Sequence, residues 1–458
     1  MAEKMNAFRL TKAPQNGAVL QRINDRAAFE VCGEFFADPT DDTEQSMSFI
    51  ADKVVVRMIS ENDGAAVTPY FPVKSEDGLH FSACVTDVPT GGPYTLDVSY
   101  LNRERCSQYP MRGERRRHIF VGDVYLVAGQ SNAAGMGMGR VSEEVTEAVR
   151  VYRNLSYWDV ASFPLTDYDY AKQSMMLSFG KRIWEKAHVP VGLIPIAMGG
   201  APIERFLLDK KGDLYRKTLT ALDKCGTDIC AVLWYQGCNE GGERWTTEQY
   251  LEAFASFVNH LRSDLQNPTL PVFTFQLNRY IIPQDEPSLA ESYSAIREAQ
   301  RRAALQIANV FVLPTVDGAS LSDFIHGSAA TNRVLGERLA AQVLPTLYGR
   351  GRELLVPSVQ SIKAISPREL LLTFDGIQSF LYDFHAGVRL PIRVEMKEKV
   401  ISIASYSIFA NQLRVTLEED VAEGATVSAQ YGNDPKYWLC DYDSQIPLLS
   451  FTHVPVEF

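Results

Sequence analysis

The chain has 458 residues, of which 46% are hydrophobic and 22% charged, and it carries a net charge of −11. That length predicts two or three domains with a large buried core, in a composition ordinary for a soluble globular protein. The acidic balance argues against nucleic acid or an anionic membrane as the main partner, and no apolar run is long enough to span a bilayer.

The opening Met-Ala-Glu-Lys-Met-Asn-Ala-Phe-Arg-Leu-Thr-Lys lacks the apolar core of a secretory signal, which predicts a cytoplasmic protein. Residues 1–117 read as a small β-sandwich-like domain. The run 54–59 is rich in β-branched residues, 95–100 alternates apolar with polar, and Glu61-Asn62-Asp63-Gly64 is a turn signal. The basic cluster Arg112-Gly113-Glu114-Arg115-Arg116-Arg117 tempts one toward a nucleic-acid reading, but in an acidic protein it reads as a solvated linker face.

From 118 to 350 strands alternate with helices. Strands are predicted at 124–128, 191–197, 231–235, 271–277 and 310–314, with helices near 175–186, 214–223, 248–265 and 290–308. In the third helix Tyr250, Phe254, Phe257, Val258 and Leu261 fall on one face as a core stripe. Five strands joined by crossover helices make an α/β fold, a parallel sheet in a three-layer α/β/α arrangement. Residues 351–458 return to β character, with strands at 369–374, 400–403 and 412–417. There Tyr437, Trp438 and Tyr442 can stack on sugar, but aromatics in small β domains are more often core.

The seven cysteines, Cys32, Cys84, Cys106, Cys225, Cys230, Cys238 and Cys440, are odd in number and show no zinc spacing. They read as mostly reduced and buried, which suits a reducing compartment. Neither a metal nor a cofactor is expected.

Gly122-Asp123-Val124-Tyr125-Leu126-Val127-Ala128-Gly129-Gln130-Ser131-Asn132 is the most informative stretch. A short buried strand runs into a sharp turn at Gly129, and Ser131 stands at the turn's exit. Open α/β sheets build their sites at that carboxyl edge, and a serine there becomes a nucleophile if a base reaches it. The base is expected in Ser322-Asp323-Phe324-Ile325-His326-Gly327, just before an amphipathic run at 329–344. One turn can carry both groups, Asp323 fixing the imidazole through one nitrogen while the other faces the serine hydroxyl. His80, His118, His188, His260, His385 and His453 have no comparable company in this reading.

Gly129-Gln130-Ser131-Asn132, Trp234-Tyr235-Gln236-Gly237 and Asp323-x-x-His326 together resemble the SGNH/GDSL hydrolase superfamily, most closely its sialate O-acetylesterase and acetyl-xylan-esterase branch. The likeness covers most of the chain. Asn16-Gly17-Ala18-Val19-Leu20-Gln21-Arg22, Pro89-Thr90-Gly91-Gly92-Pro93-Tyr94, Gly199-Gly200-Ala201-Pro202-Ile203 and Arg333-Val334-Leu335-Gly336-Glu337-Arg338-Leu339 follow in the expected order.

The resemblance implies a serine carbohydrate esterase. Ser131 attacks an acetyl ester, His326 shuttles the proton, and Asp323 orients His326. The oxyanion donors are expected from the Ser131 amide and from Gly199 or Gly200, where glycine lets the main chain approach closely. A third donor is Asn239 on the wider superfamily's pattern or Gln236 on the closer branch's. Cys238 stands where that branch has glutamate, a residue thought to partner the histidine in some relatives. Asp323 is then the best acid, with Glu240 an outside candidate, and Ala133 replaces the usual methionine.

The implied substrate is an acetylated small molecule or oligosaccharide: hemicellulose-derived fragments or O-acetylated sialic acid. Sialate needs a cation, for which Arg140, Arg205 and Arg279 are candidates. Neutral oligosaccharides need an aromatic platform, for which Trp158 or Trp245 can serve. The alternatives are a non-catalytic carbohydrate-binding protein on a hydrolase scaffold, and a short-chain lipid esterase or thioesterase, although no mobile apolar lid is evident. Oligomeric state is not legible in the sequence.

Overall fold

The computed structural model describes residues 8–35, 54–77, 79–100, 111–167, 170–282, 286–318, 321–386, 388–397 and 399–458. Residues 1–7 and Cys106 lie outside them.

The first β region contains β1 (Phe8–Lys12), β2 (Val19–Gln21), β3 (Arg26–Phe35), β4 (Val54–Ser60), β5 (Phe71–Pro72), β6 (His80–Pro89) and β7 (Gly91–Tyr100). Strands β1, β3 and β6 form one sheet, and β4 pairs with β5 and β7 in another. Val31, Val56, Met58, Leu96 and Val98 are fully buried between them.

The next strand, β8 (Met111–Gly129), joins this region to the central sheet. Its first half pairs antiparallel with β7, and Phe120–Gly122 pair in parallel with β2. Its last seven residues, from Asp123, form the middle of the central sheet. The basic cluster expected as a linker is therefore strand. Arg115 stands opposite Asp97 and bonds its carboxylate at 3.0 Å, while Arg116 pairs with Glu114 at 2.7 Å.

The central sheet adds β9 (Val149–Arg153), β10 (Tyr157–Val160), β11 (Val191–Pro195), β12 (Ala231–Tyr235), β13 (Val272–Phe275) and β14 (Val310–Leu313). Its order is β10-β9-β11-β8-β12-β13-β14, parallel throughout except for β10, which pairs antiparallel with β9 at the edge. Helices cover both faces, so the parallel strands are near-continuous apolar runs. The five predicted strands are all present. Strand β9 is a sixth, hidden in the sequence because Arg150 and Arg153 interrupt its apolar run. Buried Arg150 is satisfied from outside the sheet, donating to Gly17 O at 3.1 Å.

The helices are α1 (Ser131–Ala134), α2 (Met175–Ala187), α3 (Asp213–Cys225), α4 (Cys238–Gly242), α5 (Thr247–Asp264), α6 (Pro287–Gln306) and α7 (Ala329–Tyr348). Tyr125 packs edge-on against Phe179 of α2, which lies beside α7. Trp234 points to the opposite face and stacks on Phe257 of α5, centroids 4.5 Å apart. Tyr215 of α3 meets the same Phe257, and α6 packs along α5. The result is the expected three-layer α/β/α architecture. Because β11 and β12 flank β8 on opposite sides, the carboxyl end of β8 is the position where such sheets place their sites.

The last region runs from the strand Ser358–Ser366 to the strand Phe451–Pro455 and has its own core, including Leu370, Leu372, Val394 and Val415. Trp438 is half-buried there, whereas Tyr442, expected in the core, is 48% exposed and stacks on Phe380. Cys32, Cys84, Cys225, Cys230, Cys238 and Cys440 are free thiols; Cys84 is exposed. Among the described residues no helix is long and apolar enough to cross a membrane.

Candidate active site

Strand β8 ends at Gly129 with φ +129°. A Cβ there would lie 2.2 Å from Tyr235 O, so only glycine fits the turn. The close approach lets both flanking strand exits grip the turn: Met198 N donates to Gly129 O at 3.2 Å, and Gln130 N donates to Tyr235 O at 2.9 Å. Ser131 then opens the single turn α1 and is 6% exposed.

The residues on either side of Ser131 hold the neighbouring loops. Gln130 Oε1 accepts from Gly237 N at 3.0 Å and Asn239 N at 3.4 Å, fixing the exit of β12. Asn132 Nδ2 donates to Ile325 O, and its Oδ1 accepts from Gly327 N, both at 3.4 Å. Asn132 thus grips the backbone immediately before and after His326.

Asp323 and His326 form one closed turn. Asp323 Oδ2 lies 2.7 Å from His326 Nδ1, while Oδ1 accepts from the amides of Ile325 and His326 at 2.8 Å each. Burial raises the Asp323 carboxyl, but the bonds from His326 and these two amides outweigh it and hold the group below its ordinary range. A carboxylate on Nδ1 fixes that nitrogen as the donor and leaves Nε2 to accept. The turn is held from outside by Asn278 Nδ2, which donates to Ile325 O at 2.7 Å, and by Met138 N, which donates to Ser322 Oγ at 2.6 Å.

The same turn occurs at a second place, contrary to the reading of the other histidines. His80 Nδ1 lies 2.7 Å from Asp77 Oδ2, and Asp77 Oδ1 accepts from the Leu79 and His80 amides at 2.8 and 2.7 Å. The Asp-x-x-His turn therefore forms at both places where this sequence carries it. Only the pair at 323 and 326 is bonded to the serine turn.

The predicted oxyanion residues differ in what they have free. Gly199 is half-buried and Gly200 exposed with φ +66°, in the loop after β11 whose Met198 bonds Gly129. Gln236 is completely buried and fully engaged: Nε2 donates to Ala201 O at 3.2 Å and Glu240 Oε2 at 2.6 Å, and Oε1 accepts from Tyr250 OH at 3.0 Å. Asn239 Nδ2 is buried with no hydrogen-bond partner among the described residues. Glu240 is also buried, and its oxygens accept from Ile203 N at 2.5 Å and from Gln236; neither touches His326. Burial pushes its carboxyl up to about 7 against those bonds.

Of the candidate sugar contacts, Arg205 is paired with Asp213, and Arg279 is paired with Asp434 at 2.7 Å. Arg140 is exposed and has no carboxylate partner among the described residues. Trp158 is 4% exposed and packs against Tyr152 in the core, which removes it as a platform. Trp245 is half-buried against the central core. The sequence reading missed Phe324. Lying between Asp323 and His326, it is 55% exposed, with its ring 5.8 Å from that of Tyr280. Its signal was an apolar residue inside a catalytic-type turn, where packing does not require one.

Residues 121–345 match the carbohydrate esterase family described as sialic acid-specific acetylesterase. A probable carbohydrate esterase of Arabidopsis thaliana is 25% identical over 258 residues, covering 48% of this chain and 90% of its own length. The crystal structure of a carbohydrate acetylesterase from Xanthomonas citri superposes with a TM-score of 0.68 at 20% identity, covering 97% of this chain and 99% of that one. That second likeness speaks to the fold alone. Residues 121–345 thus match the sialic acid-specific acetylesterase family of carbohydrate esterases, and the chain is a carboxylic ester hydrolase, an acetylesterase.

Proposed function

We propose that Ser131, His326 and Asp323 remove O-acetyl groups from sugars through an acetyl-enzyme. Ser131 Oγ attacks the acetyl carbonyl carbon while His326 Nε2 takes its proton, and Asp323 stabilises the imidazolium. The tetrahedral intermediate collapses, the sugar oxygen leaves with the proton from His326, and the acetyl group stays on Ser131. Water, activated by His326, repeats the attack and releases acetate. The Ser131 amide, the Gly199–Gly200 loop and Asn239 Nδ2 stabilise the oxyanion, each donor worth roughly 3 kcal/mol. The observation that carries this reading is Asn132, the residue next to the nucleophile, bonded to the backbone on both sides of His326.

The substrate is an acetylated sugar whose ring lies against Phe324. Arg140 meets a carboxylate when the sugar has one. It sits two residues beyond Met138, whose amide and carbonyl bond Ser322 Oγ at 2.6 Å and Ala329 N at 2.9 Å beside the histidine turn. We place the enzyme in the cytoplasm, because six free thiols suit a reducing compartment. Residues 1–117 and 351–458 serve as accessory β domains to the catalytic segment 118–350.

The test is acetate release from acetylated xylo-oligosaccharides and from 9-O-acetylated sialic acid, offered to wild type, Phe324→Ala and Arg140→Ala. Phe324→Ala is expected to raise KM on both sugars, and Arg140→Ala to raise it roughly tenfold on the sialate alone. Absence of acetate release from either sugar by wild type would contradict the proposed substrate class.

A further inference from the structure

Arg297 of α6 is completely buried and, among the described residues, has no carboxylate to pair with. Burying a guanidinium is costly unless its donors are met. Here they are met by main-chain carbonyls from two regions. Nε donates to Leu277 O and Nη2 to Asn278 O, both at 2.7 Å, in the loop after β13. Nη1 donates to Gly432 O, and Nη2 also to Asn433 O at 3.3 Å, both in the C-terminal β region.

The loop 276–282 is bonded to that region almost residue by residue. Gln276 exchanges two bonds of 2.8 Å with the Ser450 backbone, Arg279 pairs with Asp434, and Tyr280 exchanges bonds of 2.7 and 2.8 Å with Asn433. On its other side the same loop grips the histidine turn. Asn278 Nδ2 donates to Ile325 O at 2.7 Å, and Ile281 N donates to Phe324 O at 2.8 Å. One continuous chain of hydrogen bonds therefore runs from Gly432 and Asn433 through Arg297 and Asn278 to the residue before His326.

We propose that the C-terminal β region is a working part of the esterase, with Arg297 and Asn278 as positioning residues that set where His326 stands. This inference rests on the reading of His326 as the general base. A base displaced by a fraction of an ångström still binds near its substrate but transfers the proton poorly. The chemical step suffers before binding does.

The experiment is steady-state kinetics of acetate release by the full chain in wild type, Asn278→Ala, Arg297→Lys and His326→Ala, with circular dichroism and thermal melts to establish folding. Asn278→Ala is expected to stay folded and lose roughly ten- to a hundredfold in kcat, with KM changed less than about threefold. Arg297→Lys, which cannot present the same fork of donors, is expected to fall in the same direction. If Arg297→Lys does not fold, Asn278→Ala decides alone. Wild-type kcat in folded Asn278→Ala, with His326→Ala inactive, would overturn the positioning role and leave the mechanism standing. Activity retained in His326→Ala would overturn the mechanism beneath it.

Discussion

Gln236 and Asn239 stand three residues apart and carry the same chemical group, yet only one has a donor to spare. Gln236 has placed both of its amide hydrogens and its oxygen in buried bonds, whereas Asn239 Nδ2 is buried and unspent. Asn239→Ala is therefore expected to lower kcat by roughly 10²–10³ with little loss of stability. Gln236→Ala should do the reverse at first sight of a denaturant curve. Leaving Glu240 and Ala201 O short of a partner costs about 2–4 kcal/mol of folding free energy, while Tyr250 OH keeps the main-chain carbonyl of residue 236. Urea unfolding and acetate-release kinetics on both variants check the pair, and equal kinetic losses with equal stability would contradict the assignment. Sequence reasoning could find both amides but could not choose, because the choice depends on which donors the fold has already used. The Ser131 turn and the Asp323–His326 turn, which carry the candidate groups, were legible because each forms through local bonds. Asp77 and His80 show the limit of that legibility: the turn is local, but its partner serine is not.

At the scale of elements, the site depends on strand exits packed too closely for side chains. Gly129→Ala would force a Cβ against Tyr235 O at a backbone angle that L residues rarely adopt. We expect it to cost at least about 2 kcal/mol and to reduce kcat more than tenfold, as Ser131 moves with the turn. A variant with wild-type stability and rate would show that the turn is not under this constraint.

Glu240 ties two of the same exits together, accepting from Ile203 after the Gly199–Gly200 loop and from Gln236 after β12. Its carboxyl sits at about 7 in the fold against an ordinary 4.5. The folded state thus holds a proton that the unfolded chain has released between those values, so stability falls as pH rises through this window. The full effect is on the order of 3 kcal/mol. Glu240→Gln removes the titration. Its unfolding free energy relative to wild type is expected to improve from pH 5 to pH 7 and then level, measured by urea unfolding at each pH. A difference independent of pH would contradict it. The strands themselves were readable because parallel strands buried on both faces are unbroken apolar runs. Strand β9 escaped because Arg150 is satisfied by Gly17, a partner more than a hundred residues away.

Across the whole molecule, long-range connections do what local pattern cannot announce. The class of the central layer follows from alternating strands and helices. That β8 runs unbroken from one sheet into the next does not, since its basic start reads as solvated chain until Asp97 is seen opposite Arg115. The link from Asn433 to the histidine turn is likewise invisible in sequence, being carried mostly by main-chain carbonyls that every residue has. Beside Ser131, β8 ends in the serine turn and Asn132 is bonded to the histidine turn. The most direct measurement is rapid-quench mass spectrometry of the enzyme during turnover of an acetylated sugar, with digestion to locate any added acetyl group. A transient acetyl group is expected on the peptide containing Ser131, absent in Ser131→Ala together with acetate release. Acetate released at the wild-type rate by Ser131→Ala would contradict it.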